Sequence, residues 1–207
     1  MQIALSVLVG LGLAAACGFR VFVPLLIACI AVRAGALTVS PGFAWMTSDE
    51  ALIAFAVASG LEILGYWIPW VDHMLDVATT PAAVIAGTIV AASQFGFVDS
   101  SGGQMMKWSL ALIAGGGAAG VVQAGTVAIR AGSTSLTGGL GNPLVSTVET
   151  AFAGTIAIMT ILAPVLLWAV LCIGLIVGIR WWQRRKERKT TERLVVQAQQ
   201  VVPNTAV

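Results

Sequence analysis

The chain of 207 residues is too apolar for a soluble domain: 58% of its residues are hydrophobic, 10% are charged and its mean hydropathy is +0.94, whereas soluble domains carry about 25% charged residues. Its net charge of +2 has a local origin, because seven of its eleven basic residues lie between Arg180 and Arg193. The composition predicts an all-α integral membrane protein and gives no sign of a nucleic-acid partner.

Five apolar runs are long enough to enter a bilayer. They cover residues 2–32, 51–70, 77–97, 108–129 and 144–179. The first and last exceed a hydrocarbon layer of about 30 Å, so each must tilt, break or double back. Gly10, Gly12, Gly18 and Pro24 are break candidates in the first run, and Pro164 in the last. We expect five to seven membrane-embedded helical segments, some of them broken or re-entrant.

Residues 1–182 are predicted to form one transmembrane helical domain, followed by a polar basic tail at 183–207. A basic cluster directly after an apolar helix is typical of a cytoplasmic segment, and Trp181 and Trp182 suit the interfacial aromatic belt. The expected location is the bacterial inner (cytoplasmic) membrane with a cytoplasmic C-terminus. Anionic-lipid binding by the tail is the alternative. The three cysteines have no pairing or metal-ligand spacing.

Short signals along the chain indicate helix starts and close helix packing. The stretch Thr47-Ser48-Asp49-Glu50 resembles a capping box that opens the second run. Pro81 suits a first helical turn if the third segment begins near Thr79 or Thr80. The glycine-rich stretch 115–120 favours backbone-to-backbone packing in lipid, with Gln123 placed for an interhelical hydrogen bond.

Two short patterns occur in the same order in both halves of the chain, 1–98 and 104–182. The stretch from Ala31 to Gly35 matches the stretch from Ala128 to Gly132, each with a central arginine, Arg33 or Arg130. Downstream, Ser59-x-x-Glu62 matches Ser146-x-x-Glu149. These matches favour an internal repeat. An odd number of spans in each half would invert the second copy, as in many secondary transporters.

Arg20 is the basic residue placed deepest in an apolar run. If the first run breaks at Gly18, this arginine lies near a helix start, where free N–H groups also favour an anion. Glu62 shares one helix face with Ser59 and Tyr66, and it lies too far inside its run to be a cap. Structural pairing with Arg20 and a proton- or cation-binding role are both open for this glutamate.

The stretch 137–150 joins a glycine loop to a polar stripe. Gly138, Gly139 and Gly141 permit unusual backbone angles, and Asn142-Pro143 predicts a helix start with Asn142 as the N-cap. Ser146, Glu149 and Thr150 then lie on one face. A buried carboxylate that handles a proton or cation is one interpretation, and an interfacial capping box is the other.

Asp72 and Asp76 flank His73 between the second and third runs. We expect a solvated acidic loop, with a cation vestibule as the second interpretation; a lone histidine is weak evidence for metal. Asp72, Asp76 and Arg130 form a secondary set of candidate site residues, and no metal or other cofactor is expected.

Three motifs together resemble the bacterial multi-pass membrane proteins of domain-of-unknown-function family 4126. They are G-F-R-V-F-V-P-L at 18–25, S-G-x-E at 59–62 with the aspartates after it, and T-G-G-L-G-N-P-L-V-S-T-V-E at 137–149. The likeness covers roughly residues 5–170. It implies a helical membrane fold and no assigned activity, and it implies that the polar residues of these motifs belong together.

We expect a small transporter or permease, proton-coupled, for an anionic solute or a lipid head group. Its substrate- or proton-binding residues would be Arg20, Glu62, Asn142, Ser146 and Glu149. The alternative is a non-catalytic accessory or scaffold subunit whose polar residues tie helices together. A membrane-embedded enzyme is the least favoured class, because the sequence offers no clear nucleophile or metal cluster. A homodimer is expected, since two small bundles can enclose a pathway that one cannot.

Overall fold

The computed structural model describes residues 1–101, 103–177, 179–180 and 183, and the regular structure in these residues is helical. The helices are α1 (Gln2–Cys17), α2 (Phe22–Arg33), α3 (Asp49–Gly65), α4 (Pro69–Gln94), α5 (Gln104–Leu110), α6 (Gly117–Thr137), α7 (Asn142–Leu162) and α8 (Pro164–Val177). Short 3₁₀ helices cover Pro41–Thr47 and Gly96–Ser101, and a π-helical turn, Ala111–Gly116, joins α5 to α6. The predicted all-α membrane class is confirmed.

Three helical stretches are long and apolar enough to cross a membrane: Met74–Gln94 within α4, the continuous stretch Gln104–Thr137, and α7. Helices α1, α2 and α8 are apolar but shorter. The 16 residues of α1 extend only about 24 Å at ~1.5 Å per residue, which is less than the hydrocarbon thickness. The chain therefore combines full-length membrane helices with shorter, broken ones.

Both long apolar runs are interrupted. The first breaks between Cys17 and Phe22, next to Gly18; Pro24 lies in the opening turn of α2, where proline is tolerated. The last breaks at Ala163, the residue before Pro164, because a residue preceding proline is disfavoured in helical conformation. The predicted breaks at Gly18 and Pro164 are confirmed. Gly10 and Gly12 lie inside α1 and Pro24 lies inside α2, so these three candidates are not breaks.

One predicted helix start is wrong. Helix α4 begins at Pro69, so Pro81 lies inside it rather than in its first turn. Ser48 does cap α3, since its hydroxyl accepts the N–H of Ala51 at 3.1 Å. This extra length of α4 carries Asp72 and Asp76 into the helix bundle.

The chain divides into two compact units, the first ending at Val165. In the first unit, α4 packs on α1, on α6 and on the π-helical turn. The glycine-rich stretch lies at these contacts, as expected: a Cβ placed on Gly87 would lie 2.6 Å from the Cβ of Ala119 and 2.9 Å from the carbonyl oxygen of Gly115. The second unit begins at Leu166 and holds most of α8, with exposed apolar side chains such as Leu175.

Helix α3 is apolar on its outer face and polar on its inner one. Its exposed side chains include Ile53, Leu61 and Leu64, whereas Ser59 and Glu62 are buried. This arrangement suits a helix that faces lipid on one side and a polar interior on the other.

Candidate functional site

Arg20 lies in the break between α1 and α2 and is 1% exposed. Its Nε donates to Thr150 Oγ1 at 2.9 Å, and its Nη2 donates to Ser146 Oγ at 2.6 Å and to the Ser146 carbonyl oxygen at 2.9 Å. The same Nη2 lies 3.5 Å from Glu149 Oε2. The polar stripe predicted on α7 therefore faces this arginine.

Glu62 binds the N-terminus of α2. Its Oε1 accepts the N–H of Val21 at 2.8 Å and its Oε2 accepts the N–H of Phe22 at 3.0 Å. Free N–H groups at a helix start attract anions, so the anion expected beside Arg20 is a carboxylate of the chain itself. The predicted alternative of an ion pair between Glu62 and Arg20 is not observed, since the described ion pair of Arg20 is with Glu149.

Arg130 collects three carboxylates from two helices. Its Nη1 lies 3.2 Å from Asp72 Oδ1 and 2.7 Å from Asp76 Oδ1, both on α4. Its Nη2 and Nε bind the two carboxylate oxygens of Glu149 on α7. This two-point contact with Glu149 matches the planar fork that guanidinium groups offer to carboxylates.

The expectation of a solvated acidic loop at Asp72 and Asp76 is therefore wrong. Asp72 is 1% exposed, because α4 starts at Pro69 and carries the residue inside the bundle. The side chain of His73 lies outside the described part of the structure. Among the described residues, no group of three His, Cys, Asp or Glu residues is placed to hold a metal ion.

Tyr66 lies between the two buried arginines. The Cζ atom of Arg20 is 4.0 Å from its ring centroid and the Cζ atom of Arg130 is 3.9 Å from it, which is cation–π distance. Its hydroxyl group lies 2.9 Å from Thr79 Oγ1, which also accepts a hydrogen bond from Gln123 at 3.2 Å. The ring holds two like charges apart while it attracts both.

Asn142 is part of the same cluster, although not as the predicted N-cap. Helix α7 begins at Asn142 itself, with Gly141 as the cap residue. The Asn142 side chain instead donates to Asp72 Oδ2 at 2.7 Å and to Thr134 Oγ1 at 3.0 Å. Gly138 and Gly139 have the predicted unusual backbone angles, with φ values of 63° and 92°, whereas Gly141 has ordinary helical angles.

We call this set of neighbouring polar side chains, all buried except the partly exposed Asp76, the charge network. Its members are Arg20, Glu62, Tyr66, Asp72, Asp76, Arg130, Asn142, Ser146 and Glu149. The structure brings together all five primary and all three secondary residues singled out from the sequence. Tyr66 was not singled out; its position on the Glu62 face of α3 was the available signal.

The charge network contains more acids than bases. Four carboxylates, the buried Glu62, Asp72 and Glu149 and the partly exposed Asp76, lie near two guanidinium groups. This leaves an excess of two negative charges when every group is ionised. Uncompensated charge is costly away from water. Such a cluster has an electrostatic reason to take up protons or another cation.

Two buried polar atoms of the charge network have no hydrogen-bond partner: Nη1 of Arg20, a donor, and Oδ1 of Asn142, an acceptor. Buried polar groups in folded proteins are nearly always hydrogen-bonded. These two atoms are therefore the points at which a bound group would find unused hydrogen-bonding capacity.

The fold and the charge network define the class: an all-α membrane protein with a buried ionic centre beside a broken helix. The chain belongs to the family described as Domain of unknown function (DUF4126), whose sequence model matches residues 7–184. The resemblance is thereby confirmed, and it extends further towards the C-terminus than the motifs indicated. No curated protein and no solved structure gives a significant match to the chain.

Proposed function

We propose that this chain is a proton-coupled transporter for an anionic solute or lipid head group. The observation that carries the proposal is that three buried carboxylates and a partly exposed fourth, Asp76, accompany two buried arginines in a chain that is otherwise strongly apolar. Buried ionisable groups of membrane helices are typical of ion pathways and proton relays. We place the protein in the inner membrane with a cytoplasmic C-terminus, on the strength of the basic tail.

The position of the charge network supports the proposal. Arg20 lies in a helix break, and Asn142 is the first residue of α7. Transporters commonly build their sites at discontinuous helices, where half-helix N-termini point at anionic groups. In this chain, Arg20 Nη1 would donate to the anion, and a carboxylate such as Glu62 would take the accompanying proton.

The test is transport by the purified protein in vesicles with a pH-sensitive dye inside. An inward gradient of a transported anion should move protons with it, with acetate, phosphate and glycerol phosphate as the first panel. The Glu62→Gln and Arg20→Gln variants should lose this proton movement. The matched control is Arg33→Gln, since Arg33 pairs with Asp49 at the surface. Absence of anion-dependent proton movement in well-folded wild type across the panel would contradict the proposal.

The second candidate is an accessory or scaffold subunit. It is favoured by the many internal partners in the charge network: both carboxylate oxygens of Glu62, of Asp72 and of Glu149 are hydrogen-bonded within the chain. Such groups can act as ties between helices. In that case charge-neutral variants would lower thermal stability without changing any flux, and a partner protein would co-purify.

A homodimer that encloses the pathway stays a proposal. The mass of the protein in detergent, measured by light scattering with the detergent contribution subtracted, would give the number of copies in each particle.

A further inference from the structure

An apolar groove opens beside the charge network, with a volume of about 210 Å³. It lies between the start of α2, helix α3 and the middle of α4. Its walls are Val21, Phe22, Leu25, Trp45, Phe55, Ala82, Ile85, Ala86 and Ile89. The polar surface inside the groove is negligible, so it suits a hydrocarbon chain rather than a polar solute.

The groove and the charge network meet at two residues. Val21 and Phe22 line the groove, and their backbone N–H groups donate to Glu62. An anion held by these N–H groups would have hydrocarbon-compatible surface directly beside it. The arrangement therefore matches an amphiphile with one anionic end and one apolar end.

The chemical nature of the ligand's anionic group is indicated by Glu62, whose carboxylate binds these N–H groups in the structure. A carboxylate, that of Glu62, places one oxygen on each of the two consecutive N–H groups, at 2.8 and 3.0 Å. Arg20, the residue directly before them, adds a buried Nη1 without a partner. A ligand carboxylate in the place of Glu62 would reproduce these two contacts and would lie within electrostatic range of the Arg20 charge, as Glu62 does.

We propose that the solute of the transporter is a long-chain monocarboxylate, a single-chain fatty acid. Its carboxylate replaces that of Glu62 on the N–H groups of Val21 and Phe22, and its chain lies in the groove. This inference rests on the proposed function, because it names the substrate of that same site. One chain fits better than two, since the groove is smaller than the ~300–1,000 Å³ of pockets that enclose drug-sized ligands.

A second cavity, of about 540 Å³, shares two lining residues, Trp45 and Ile89, with the groove. Its other walls include Phe43, Lys107 and Trp108.

The exchange of carboxylates also balances charge. A fatty acid that enters as the neutral acid gives its proton to Glu62: its O–H bond breaks, and an O–H bond forms on a Glu62 oxygen. The ligand carboxylate then accepts hydrogen bonds from the two N–H groups, and the buried site gains no charge, which avoids the cost of a further buried anion.

The charged groups that interact electrostatically with Glu62 are Arg20 and Arg130, and the thiol of Cys17 lies near it on α1. The other titratable groups of the charge network contact these two arginines; they are Tyr66, Asp72, Asp76 and Glu149.

The test is equilibrium binding of radiolabelled dodecanoate to the full chain in lipid nanodiscs. Unlabelled dodecanoate should displace the label, whereas butanoate and dodecanol should not, because one lacks the chain and the other lacks the charge. Ala82→Phe, which fills the groove, should weaken binding about tenfold, the factor expected for the loss of two buried methylene groups. The matched control is Ala78→Phe, an exposed position of the same helix, which should bind as wild type does.

A second groove variant keeps the test valid if Ala82→Phe fails to fold. Ile85→Trp narrows the groove from its exposed rim and should also weaken binding about tenfold, as expected for displaced methylene groups. Equal displacement by butanoate, or unchanged binding in both groove variants, would overturn the fatty-acid inference and leave the transport proposal standing. Loss of proton movement with every anion, together with no dodecanoate binding, would overturn both.

Discussion

Arg130 forms ion pairs with three carboxylates that come from two different helices, Asp72 and Asp76 on α4 and Glu149 on α7. Arg130→Gln would leave them without their shared counter-charge. Breaking a buried ion pair by removal of one partner costs about 3–5 kcal/mol, so we expect a loss of that size or more in the free energy of unfolding. Thermal or denaturant unfolding of the purified protein in detergent measures it.

The control for Arg130 is Asp76→Asn. Asp76 is the least buried carboxylate of the cluster, with a side chain 15% exposed, and its removal lowers the negative excess. We expect a smaller loss than for Arg130→Gln. Equal stability of Arg130→Gln and wild type would show that the carboxylates do not need this arginine.

Tyr66 permits a separate prediction because its ring and its hydroxyl have different partners. Tyr66→Phe keeps the ring between the two guanidinium groups and removes the hydroxyl, whose hydrogen bond to Thr79 is worth about 1 kcal/mol. Tyr66→Leu also loses two cation–π contacts, each worth about 0.5–2 kcal/mol. Unfolding experiments should therefore rank wild type, Tyr66→Phe and Tyr66→Leu in that order; similar losses in both variants would mean that the ring contributes little.

Individual polar residues could be predicted where their spacing along a helix put them on one face. Ser146, Glu149 and Thr150 form a stripe at intervals of three and four residues, and the structure places all three against Arg20. The partners were not predictable in the same way. Arg130 meets Asp72 across 58 residues of chain, and no spacing rule connects residues on different helices. Asp72 was misinterpreted as part of a loop because Pro81 suggested a later helix start.

Among the elements, α4 and the glycine-rich turn after α5 pack with their backbones in near contact. Gly87→Ala would place a Cβ 2.6 Å from the Cβ of Ala119, and we expect the overpacking to cost about 1–3 kcal/mol. Gly117→Ala is the matched control, since nothing lies within 4 Å of its Cβ position. That variant should be neutral or up to about 1 kcal/mol more stable, because alanine favours helix. Unfolding in detergent compares the two, and equal stability would contradict this packing.

The helix breaks could be predicted from the sequence because of the lengths of the apolar runs. Two runs were too long for one membrane crossing, and glycine or proline marked a place to divide each one. The start of α4 could not be predicted from Pro81, because proline is tolerated inside membrane helices when neighbouring helices or side chains satisfy the freed backbone groups. A proline pattern alone therefore does not separate a first turn from a helix interior.

For the whole molecule, burial of two cysteines predicts a thiol-labelling experiment. Cys17 and Cys29 are both 0% exposed, whereas Cys172 is exposed. In a Cys172→Ser background, a small thiol-reactive dye should label the folded protein hardly at all, and labelling should rise in one transition on heating. Rapid labelling at low temperature would contradict the burial of Cys17 on α1 and of Cys29 on α2.

The internal repeat stays a prediction at this scale. Glu62 and Glu149 are both buried, on α3 and α7. Their matched arginines differ: Arg33 pairs with Asp49 near the surface, while Arg130 lies in the charge network. A repeat, if present, has therefore diverged in the use of its arginines.

The position of Tyr66 has a practical consequence for optical work. It is the only tyrosine in the chain, and its ring lies about 4 Å from each of two guanidinium carbons. Ultraviolet resonance Raman bands specific to phenol thus arise from one place, the centre of the bundle, without any introduced label. A change in those bands on ligand addition or on a pH jump would report rearrangement between the two arginines, and tryptophan, of which the chain has seven, gives separate bands.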